Sequence, residues 1–161
     1  MHYPSTGGGR AATVLAADAT FAAITGERVF WLDTVAAYQP GLFYTRELPA
    51  IRAVLAGMPA LRLIIVDGYC DLDPSGRAGL GAHLHRDSGI PVIGVAKTAF
   101  RTATHAVPVR RGNATNPLYV TAAGVPIEEA ARLVTAMAGP YRLPDALRRV
   151  DALARGHATP T

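Results

Sequence analysis

A short apolar run that ends in a charged residue constrains the fold of this chain more than any other feature. Residues 63–66 are four consecutive branched aliphatic side chains, and Asp67 and Gly68 follow them directly. Because the run is too short for a helix and is bounded by turn formers, it predicts a strand buried on both faces of an α/β sheet. Asp67 then lies at the strand's carboxyl end, the edge where open α/β sheets bind ligands. Gly68 would let a substrate approach the backbone closely.

A second apolar run, residues 90–97, repeats this design and ends in Lys97. The chain has 16 basic residues, and Lys97 is the only one that is a lysine. A compact, flexible ammonium suits a crowded phosphate or metal-water site better than the wide guanidinium fork. We therefore interpret Lys97 as a functional residue; the alternative is a surface lysine that persists by chance.

The composition indicates one globular domain. The chain has 161 residues, 50% of them hydrophobic and 17% charged, which excludes a disordered or coiled-coil protein. We expect a domain over residues 11–156, a disordered tail over residues 1–10 and a second tail over residues 157–161. The net charge of +4 permits attraction to nucleic acid. A single cysteine excludes an internal disulfide and fits a cytoplasmic protein, and no run reaches the roughly 18 apolar residues of a membrane span.

The predicted elements give the fold class. Predicted strands cover residues 11–17, 20–24, 28–35, 63–66, 90–96, 103–110 and 118–121, and predicted helices cover residues 45–56, 77–87, 126–139 and 144–155. The first three strands would be antiparallel, with a hairpin turn at residues 25–27. The two apolar strands would pair in parallel through a right-handed crossover. This order predicts a ribonuclease H-like mixed sheet, three antiparallel strands and then parallel strands, flanked by helices.

Three carboxylates are predicted to converge at one edge of this sheet. Asp18 ends the first strand, Asp67 ends the central strand and Glu47 starts the helix between them. If the first and central strands are neighbours, Asp18 and Asp67 lie side by side, and two such anions repel unless a cation lies between them. Oxygen ligands favour Mg²⁺, with Mn²⁺ as a substitute, and such an ion can activate water for displacement at phosphorus. The alternative is that all three are ordinary turn and cap residues.

Several segments together resemble the signature blocks of the endonuclease V family. The blocks are Val66-Asp67-Gly68 and residues 77–84, 90–97, 38–42 with 46–49, 116–120 and 141–144. They run in the family's order from about Asp18 to Asp151. The resemblance implies a ribonuclease H-like fold and a magnesium-dependent enzyme that nicks DNA at the second phosphodiester bond 3′ to deoxyinosine, the deaminated form of deoxyadenosine. It leaves open whether inosine in RNA is also accepted, and we expect a monomer with no membrane partner.

The resemblance also implies roles for single residues. The family's three acidic positions fall on Asp18, Glu47 and Asp67, and its lysine falls on Lys97. Asp151 lies where the family carries a further acid or imidazole near the metal, although a solvated helix residue is the alternative.

The implied substrate contacts form a second group. Tyr38, with Gly41 and Leu42, matches a wedge that fills the gap left when a nucleotide turns out of the stack. Gly68 and Gly94, both expected at strand ends, suit a pocket that reads the base through the backbone. His83 matches a family histidine on the crossover helix; the alternative is a histidine with a purely structural role.

Departures from the family pattern support other functions. Asp73 stands where an imidazole is expected and Cys70 replaces a glycine. The segment between Asp18 and Tyr38 is shorter than expected, and a helix usual before the first strand is missing from this sequence. A second hypothesis is therefore a degenerate relative that binds nucleic acid or a nucleobase without cutting it. A third is a phosphohydrolase of the same fold that acts on another structured nucleic acid.

Overall fold

The computed structural model of the protein describes residues 1–40 and 42–157. It contains six strands and four helices in these described ranges. The strands are β1 (Gly9–Ala16), β2 (Ile24–Leu32), β3 (Ile64–Asp67), β4 (Val92–Ala96), β5 (Val107–Val109) and β6 (Leu118–Ala123). The helices are α1 (Phe43–Leu55), α2 (Leu80–Ser88), α3 (Ile127–Ala136) and α4 (Asp145–Ala154). Within the described ranges, no helix is long and apolar enough to cross a membrane.

The strands form two separate sheets. One sheet has four strands in the order β3-β4-β6-β5, in which β3 and β4 are parallel and the other pairs are antiparallel. The second sheet is the antiparallel pair of β1 and β2. All five residues of β4 are buried because helices cover both faces of the larger sheet, as the sequence pattern predicts for a central strand.

The parallel pair is confirmed, and it sets the geometry of the site. Ile64 pairs with Val92 and Asp67 pairs with Val95, and α2 forms the crossover between the two strands. The crossover helix begins at Leu80 rather than at residue 77. Arg77 lies instead in the preceding turn, where its side chain bonds Asp73 at 3.1 Å.

The early part of the chain differs from the prediction. Two antiparallel strands are present instead of three, and the turn predicted at residues 25–27 lies inside β2, where Gly26 pairs with Leu15. The chain reverses over residues 17–23, where Thr20 donates its backbone N–H to Asp18 at 2.8 Å and Phe21 has a φ of 53°. The backbone hydrogen bonds between β1 and β2 therefore outweigh the tendency of Gly26 to form a turn.

The first helix also begins earlier than predicted. Helix α1 starts at Phe43, so Pro49 lies inside the helix rather than in its first turn. Pro49 is solvent-exposed, which places the missing N–H on the outer side of the helix. Thr45 does not cap the helix; its hydroxyl donates to the carbonyl of Leu42 at 2.7 Å.

Residues 1–10, predicted as a disordered tail, have defined contacts in the structure. His2 and Arg10 exchange two backbone hydrogen bonds of 2.9 and 2.8 Å, and the Met1 side chain packs against the small core cluster of Ala11, Ala50 and Val54. Antiparallel backbone pairing and burial of an apolar side chain are long-range effects that the glycine-rich composition does not reveal. Gly41 lies outside the described residues. Residues 158–161, which are most of the predicted C-terminal tail, also lie outside them.

Candidate active site

The best-defined charged pair of the sheet edge joins Asp67 and Lys97. Asp67 ends β3 and Lys97 directly follows β4, so parallel pairing brings both side chains to the same edge, as the sequence predicts. The Lys97 ammonium donates to the Asp67 carboxylate at 2.7 Å. Both side chains are partly exposed, at 38% and 49% of their surface, so this pair contributes little to stability and remains open to a ligand.

Glu47 lies in the second turn of α1 and is buried. Its carboxylate accepts a hydrogen bond from the hydroxyl of Tyr3, and Arg46 stacks on the ring of Tyr3 with 3.6 Å between the guanidinium carbon and the ring centroid. Burial raises the pKa of the Glu47 carboxyl; the Tyr3 hydrogen bond opposes this shift, and the nearby charge of Asp67 adds to it. Glu47 and Asp67 therefore share one electrostatic environment.

Asp151, on α4, lies near the same charges. Its carboxylate accepts a 2.8 Å hydrogen bond from Arg155, one turn further along the helix. That bond lowers the pKa of the Asp151 carboxyl, and the positive charge of Lys97 lowers it further. A cavity of about 920 Å³ is lined by Asp151 together with Glu47 and Asp67.

Asp18 also lines this cavity, but its carboxylate has partners of its own in the loop after β1. Ala11, near the amino end of β1, belongs to the same small core cluster as Ala50 of α1, which lies one turn from Glu47. Asp18 follows the opposite end of β1, and the five residue steps from Ala11 to Ala16 alone span roughly 16 Å of strand.

The Asp18 carboxylate instead accepts hydrogen bonds from the backbone N–H and the hydroxyl of Thr20. The hydroxyl bond is the main reason why the pKa of Asp18 is lowered. The predicted pairing of the first and central strands is wrong, because β1 pairs with β2 and β3 pairs with β4 in the described part of the chain.

The remaining acids supply oxygen donors suited to a hard cation. In residues 1–40 and 42–157, no group of three or more His, Cys, Asp or Glu side chains is arranged to hold a metal. Magnesium retains several waters and is commonly bound by only one or two carboxylates. Glu47 and Asp67 fit that smaller donor set, since each carries a carboxylate into the same cavity.

The two glycines predicted to form a base pocket have different surroundings. Gly68 follows β3 with a φ of 148°, and a Cβ atom there would meet only Leu80, at 3.9 Å, so space beside the site is preserved. Gly94 lies in the middle of β4, not at a strand end. A Cβ at Gly94 would lie 2.6 Å from the carbonyl oxygen of Gly68 and 2.8 Å from the backbone nitrogen of Cys70. Gly94 therefore allows the chain after β3 to pack closely against β4.

Tyr38 and Leu42, two residues of the predicted wedge, are solvent-exposed. The exposed fractions are 62% for Tyr38 and 41% for Leu42, and the neighbouring Phe43 is also exposed, at 43%. Gly41, the third predicted member, lies outside the described residues. An exposed apolar surface before α1 is consistent with insertion between bases, and Phe43 extends it beyond the residues that the motif named.

His83 makes a definite aromatic contact. Its ring stacks on Tyr44 with 3.6 Å between centroids and an angle of 19° between the planes, which joins α2 to α1. Burial lowers the pKa of His83, and the positive charge of Arg86 acts in the same direction. Both effects favour the neutral form of the imidazole. The role of His83 in substrate binding stays a prediction.

Three residues near the site were missed by the sequence analysis. Tyr3 was missed because it falls in the segment predicted to be disordered. Tyr69 donates to the carbonyl of Thr98 at 2.7 Å and accepts from the backbone of Phe100 at 2.9 Å, which fixes the chain after Lys97. Arg142 donates to the carbonyl oxygen of Lys97 itself. The block at residues 141–144 was a signal for Arg142, but sequence alone did not show what it contacts.

The mixed sheet, its flanking helices and the acidic edge define a ribonuclease H-like α/β protein. The sequence matches the family model for endonuclease V over residues 3–119. It is 37% identical to endonuclease V of Azotobacter vinelandii, with 94% of this chain and 78% of that protein covered. It is 35% identical to endonuclease V of Streptomyces coelicolor, with 73% of this chain but only 59% of that protein covered.

Solved structures agree with these sequence matches. Endonuclease V from Streptomyces avermitilis superposes with a TM-score of 0.72 at 26% identity, covering 96% of this chain and 82% of that one. Endonuclease V from Ciona intestinalis, solved with a 24-nucleotide DNA containing inosine, gives a TM-score of 0.77 at 17% identity, covering 96% and 81%. The chain belongs to the endonuclease V family.

Proposed function

We propose that this protein is a metal-dependent endonuclease that nicks DNA at the second phosphodiester bond 3′ to deoxyinosine. The single observation that carries the proposal is the Lys97–Asp67 pair at the sheet edge beside buried Glu47, in a chain of the endonuclease V family. The Ciona relative was solved with inosine-containing DNA, which supports the same substrate class here.

Glu47 and Asp67 are the residues that would hold the divalent cation, Mg²⁺ or Mn²⁺ in its place. When bound, the cation supplies an activated water and stabilises the oxygens of the displaced phosphate. Lys97 donates to an oxygen of the scissile phosphate and offsets its charge. To do so, its ammonium must leave Asp67 when the substrate binds. Asp151 is a proposed further ligand, because it lines the same cavity and lies close enough to Lys97 to feel its charge.

The exposed surface before α1 would contact the substrate. Tyr38 and Leu42 are proposed to fill the space left by a nucleotide turned out of the stack, and Gly41 lies between them in sequence. Gly68 leaves room beside Asp67 for the extruded base. Because these apolar side chains are already exposed, no buried core needs to open before the substrate is bound.

The test is nicking of an oligonucleotide that contains one deoxyinosine, with and without Mg²⁺, against the matched deoxyadenosine strand. We expect a metal-dependent cut only in the deoxyinosine strand. Lys97→Met and Asp67→Asn should each lower the rate at least about 10²-fold, because each removes a charge that faces the phosphate or its cation. Asp18→Asn is the matched control: it removes an equal charge on the same cavity, and we expect a rate within about twofold of the unsubstituted protein.

Absence of cutting would favour a second function. Each candidate acid already has a protein partner: Tyr3 for Glu47, Lys97 for Asp67 and Arg155 for Asp151. Such pairing is what a degenerate relative that binds nucleic acid without cutting it would retain. Fluorescence anisotropy with the same oligonucleotide in EDTA separates the two: specific binding without metal-dependent nicking would replace the nuclease proposal.

A further inference from the structure

The hydroxyl of Tyr69 bridges two backbone groups of the chain that follows Lys97. It donates to the carbonyl oxygen of Thr98 at 2.7 Å and accepts from the N–H of Phe100 at 2.9 Å. Burial raises the pKa of Tyr69, so the phenol stays protonated at neutral pH and keeps its proton for this bond. Tyr69 itself lies two residues after Asp67. One side chain therefore joins the loop after β3 to the loop after β4.

The backbone of Lys97 lies just beyond the paired part of β4. The last residue of that strand, Ala96, pairs with Tyr119 of β6. Side chains hold the peptides that come next: Arg142 donates to the carbonyl oxygen of Lys97, and Tyr69 donates to the carbonyl oxygen of the following residue. The place of Lys97 at the sheet edge therefore depends on these side-chain contacts as well as on the sheet.

A second link joins the same two loops further from the site. The hydroxyl of Thr102 donates to the carbonyl oxygen of Leu72 at 2.5 Å, and Arg77 donates to the Thr102 hydroxyl at 3.4 Å. This link holds the loop after β4 at its far end, whereas the Tyr69 hydroxyl holds it next to Lys97. Loss of the Tyr69 hydroxyl would therefore free the near end of the loop without detaching the whole loop.

The restraint on the backbone matters most when the Lys97 ammonium is not bound to Asp67. In the structure, the 2.7 Å bond to Asp67 fixes the end of the lysine side chain. In the proposed reaction, the ammonium leaves Asp67 for the phosphate. A lysine side chain has a flexible four-carbon stem, so its backbone anchor then limits where the ammonium can reach. A displacement of about 1 Å in an active site can lower a rate by about 10²-fold.

We propose that Tyr69 is a positioning residue, whose hydroxyl holds the Lys97 backbone where the ammonium can meet the scissile phosphate. This inference rests on the proposed nuclease function and adds to it a residue outside the charged group. The hydroxyl acts through the backbone of residues 98–100 and not on the phosphate itself.

Tyr69→Phe tests the hydroxyl alone. It keeps the ring, whose centroid lies 5.9 Å from that of Phe100. With the protein in excess over the deoxyinosine strand and Mg²⁺ present, we expect the nicking rate to fall about tenfold, while the Kd from fluorescence anisotropy stays within about twofold. Tyr141→Phe is the matched control, because that ring is exposed and packs against Arg148 at 4.6 Å. Its rate and Kd should both stay within about twofold of the unsubstituted values.

A combination with Lys97→Met separates positioning from a general loss of structure. If Tyr69 acts through Lys97, the effects of the two substitutions are not additive. We therefore expect Tyr69→Phe to lower the rate of the Lys97→Met protein by less than about twofold. A further tenfold fall in that background would overturn the inference. An unchanged rate for Tyr69→Phe in the otherwise unsubstituted chain would overturn it as well.

A measurement without activity keeps this inference separate from the nuclease proposal. Because Lys97 is the only lysine, isotope-labelled lysine gives one backbone amide signal in NMR. We expect Tyr69→Phe to shift and broaden that signal and to speed hydrogen exchange of the Phe100 amide at least about tenfold, and Tyr141→Phe to change neither.

The two measurements distinguish the possible failures. An unchanged lysine signal with unchanged exchange at Phe100 would overturn the inference even if the protein nicks DNA. If the signal responds but no form nicks the deoxyinosine strand, the proposed function fails and the positioning role fails with it, while the restraint of the Tyr69 hydroxyl on Lys97 is confirmed.

Discussion

We predict that Arg111 stabilises the segment that connects α3 to α4. It is one of the few buried charged residues, with 6% of its surface exposed. Its guanidinium donates to four carbonyl oxygens of that segment, those of Met137, Gly139, Tyr141 and Arg142. The bonds to Tyr141 and Gly139 measure 2.9 and 3.0 Å. Removing the guanidinium leaves these carbonyls without this donor.

The expected loss of folding stability in Arg111→Met follows from these hydrogen bonds. A hydrogen bond to a charged group contributes a net of about 1.5–3 kcal/mol. Arg111→Met keeps the aliphatic stem but loses two well-formed bonds and two further contacts, and it also relieves the burial of a charge. We therefore expect unfolding to become easier by about 3 kcal/mol, which is a fall in Tm of roughly 6–12 °C for a domain of this size. Circular dichroism during heating and urea unfolding measure both quantities.

A neighbouring residue provides the control. Arg110 is exposed, and Arg110→Met makes the same chemical change one residue away. Its effect should stay within about 0.5 kcal/mol. Arg111→Lys keeps the charge, but a single ammonium does not reproduce the planar fork, so it should recover less than half of the loss. Equal Tm values for the methionine variants of Arg110 and Arg111 would show that the four-carbonyl contact does not stabilise the fold.

Three shorter predictions concern the surroundings of the site. Gly94→Ala should destabilise the fold strongly and lower the yield of folded protein, because its Cβ would lie 2.6 Å from the Gly68 carbonyl oxygen; unchanged urea unfolding would contradict this. Cys70 should not react with a thiol reagent at pH 8 until urea unfolds the chain, since burial raises its pKa to about 12 and the thiol stays protonated; rapid labelling of native protein would be the opposite result. Tyr44→Ala should expose the ring of His83 and raise its pKa toward the usual value, as followed by NMR titration, and an unchanged titration would show that the stack does not bury the imidazole.

Local pattern was sufficient for the part of the site built on neighbouring parallel strands. The apolar runs ending in Asp67 and Lys97 predicted both strands, their parallel pairing and the meeting of the two charges. This succeeds because a fully buried strand has a distinctive run of branched residues, and because parallel neighbours bring their carboxyl ends to one edge. Glu47 was also predicted on the correct helix, but it lies in the second turn of α1 rather than at its start.

Local pattern failed where the answer depended on which strand edges meet. Asp18 follows an apolar run just as Asp67 does, yet the two runs belong to different sheets. The glycine-rich start predicted disorder, yet Tyr3 reaches Glu47 and His2 pairs with Arg10. Neither contact has a periodicity that a reader of the sequence could use.

The sequence by itself determined the class of fold, the family and the edge where Asp67 and Lys97 meet. Only the tertiary structure decided that Asp18 lies apart from them, that Tyr3 covers Glu47 and that β1 and β3 leave a cleft between them. The physical reason is that burial of a strand is encoded in its own side chains, whereas the identity of its hydrogen-bonding neighbour depends on backbone groups that are the same in every residue except proline.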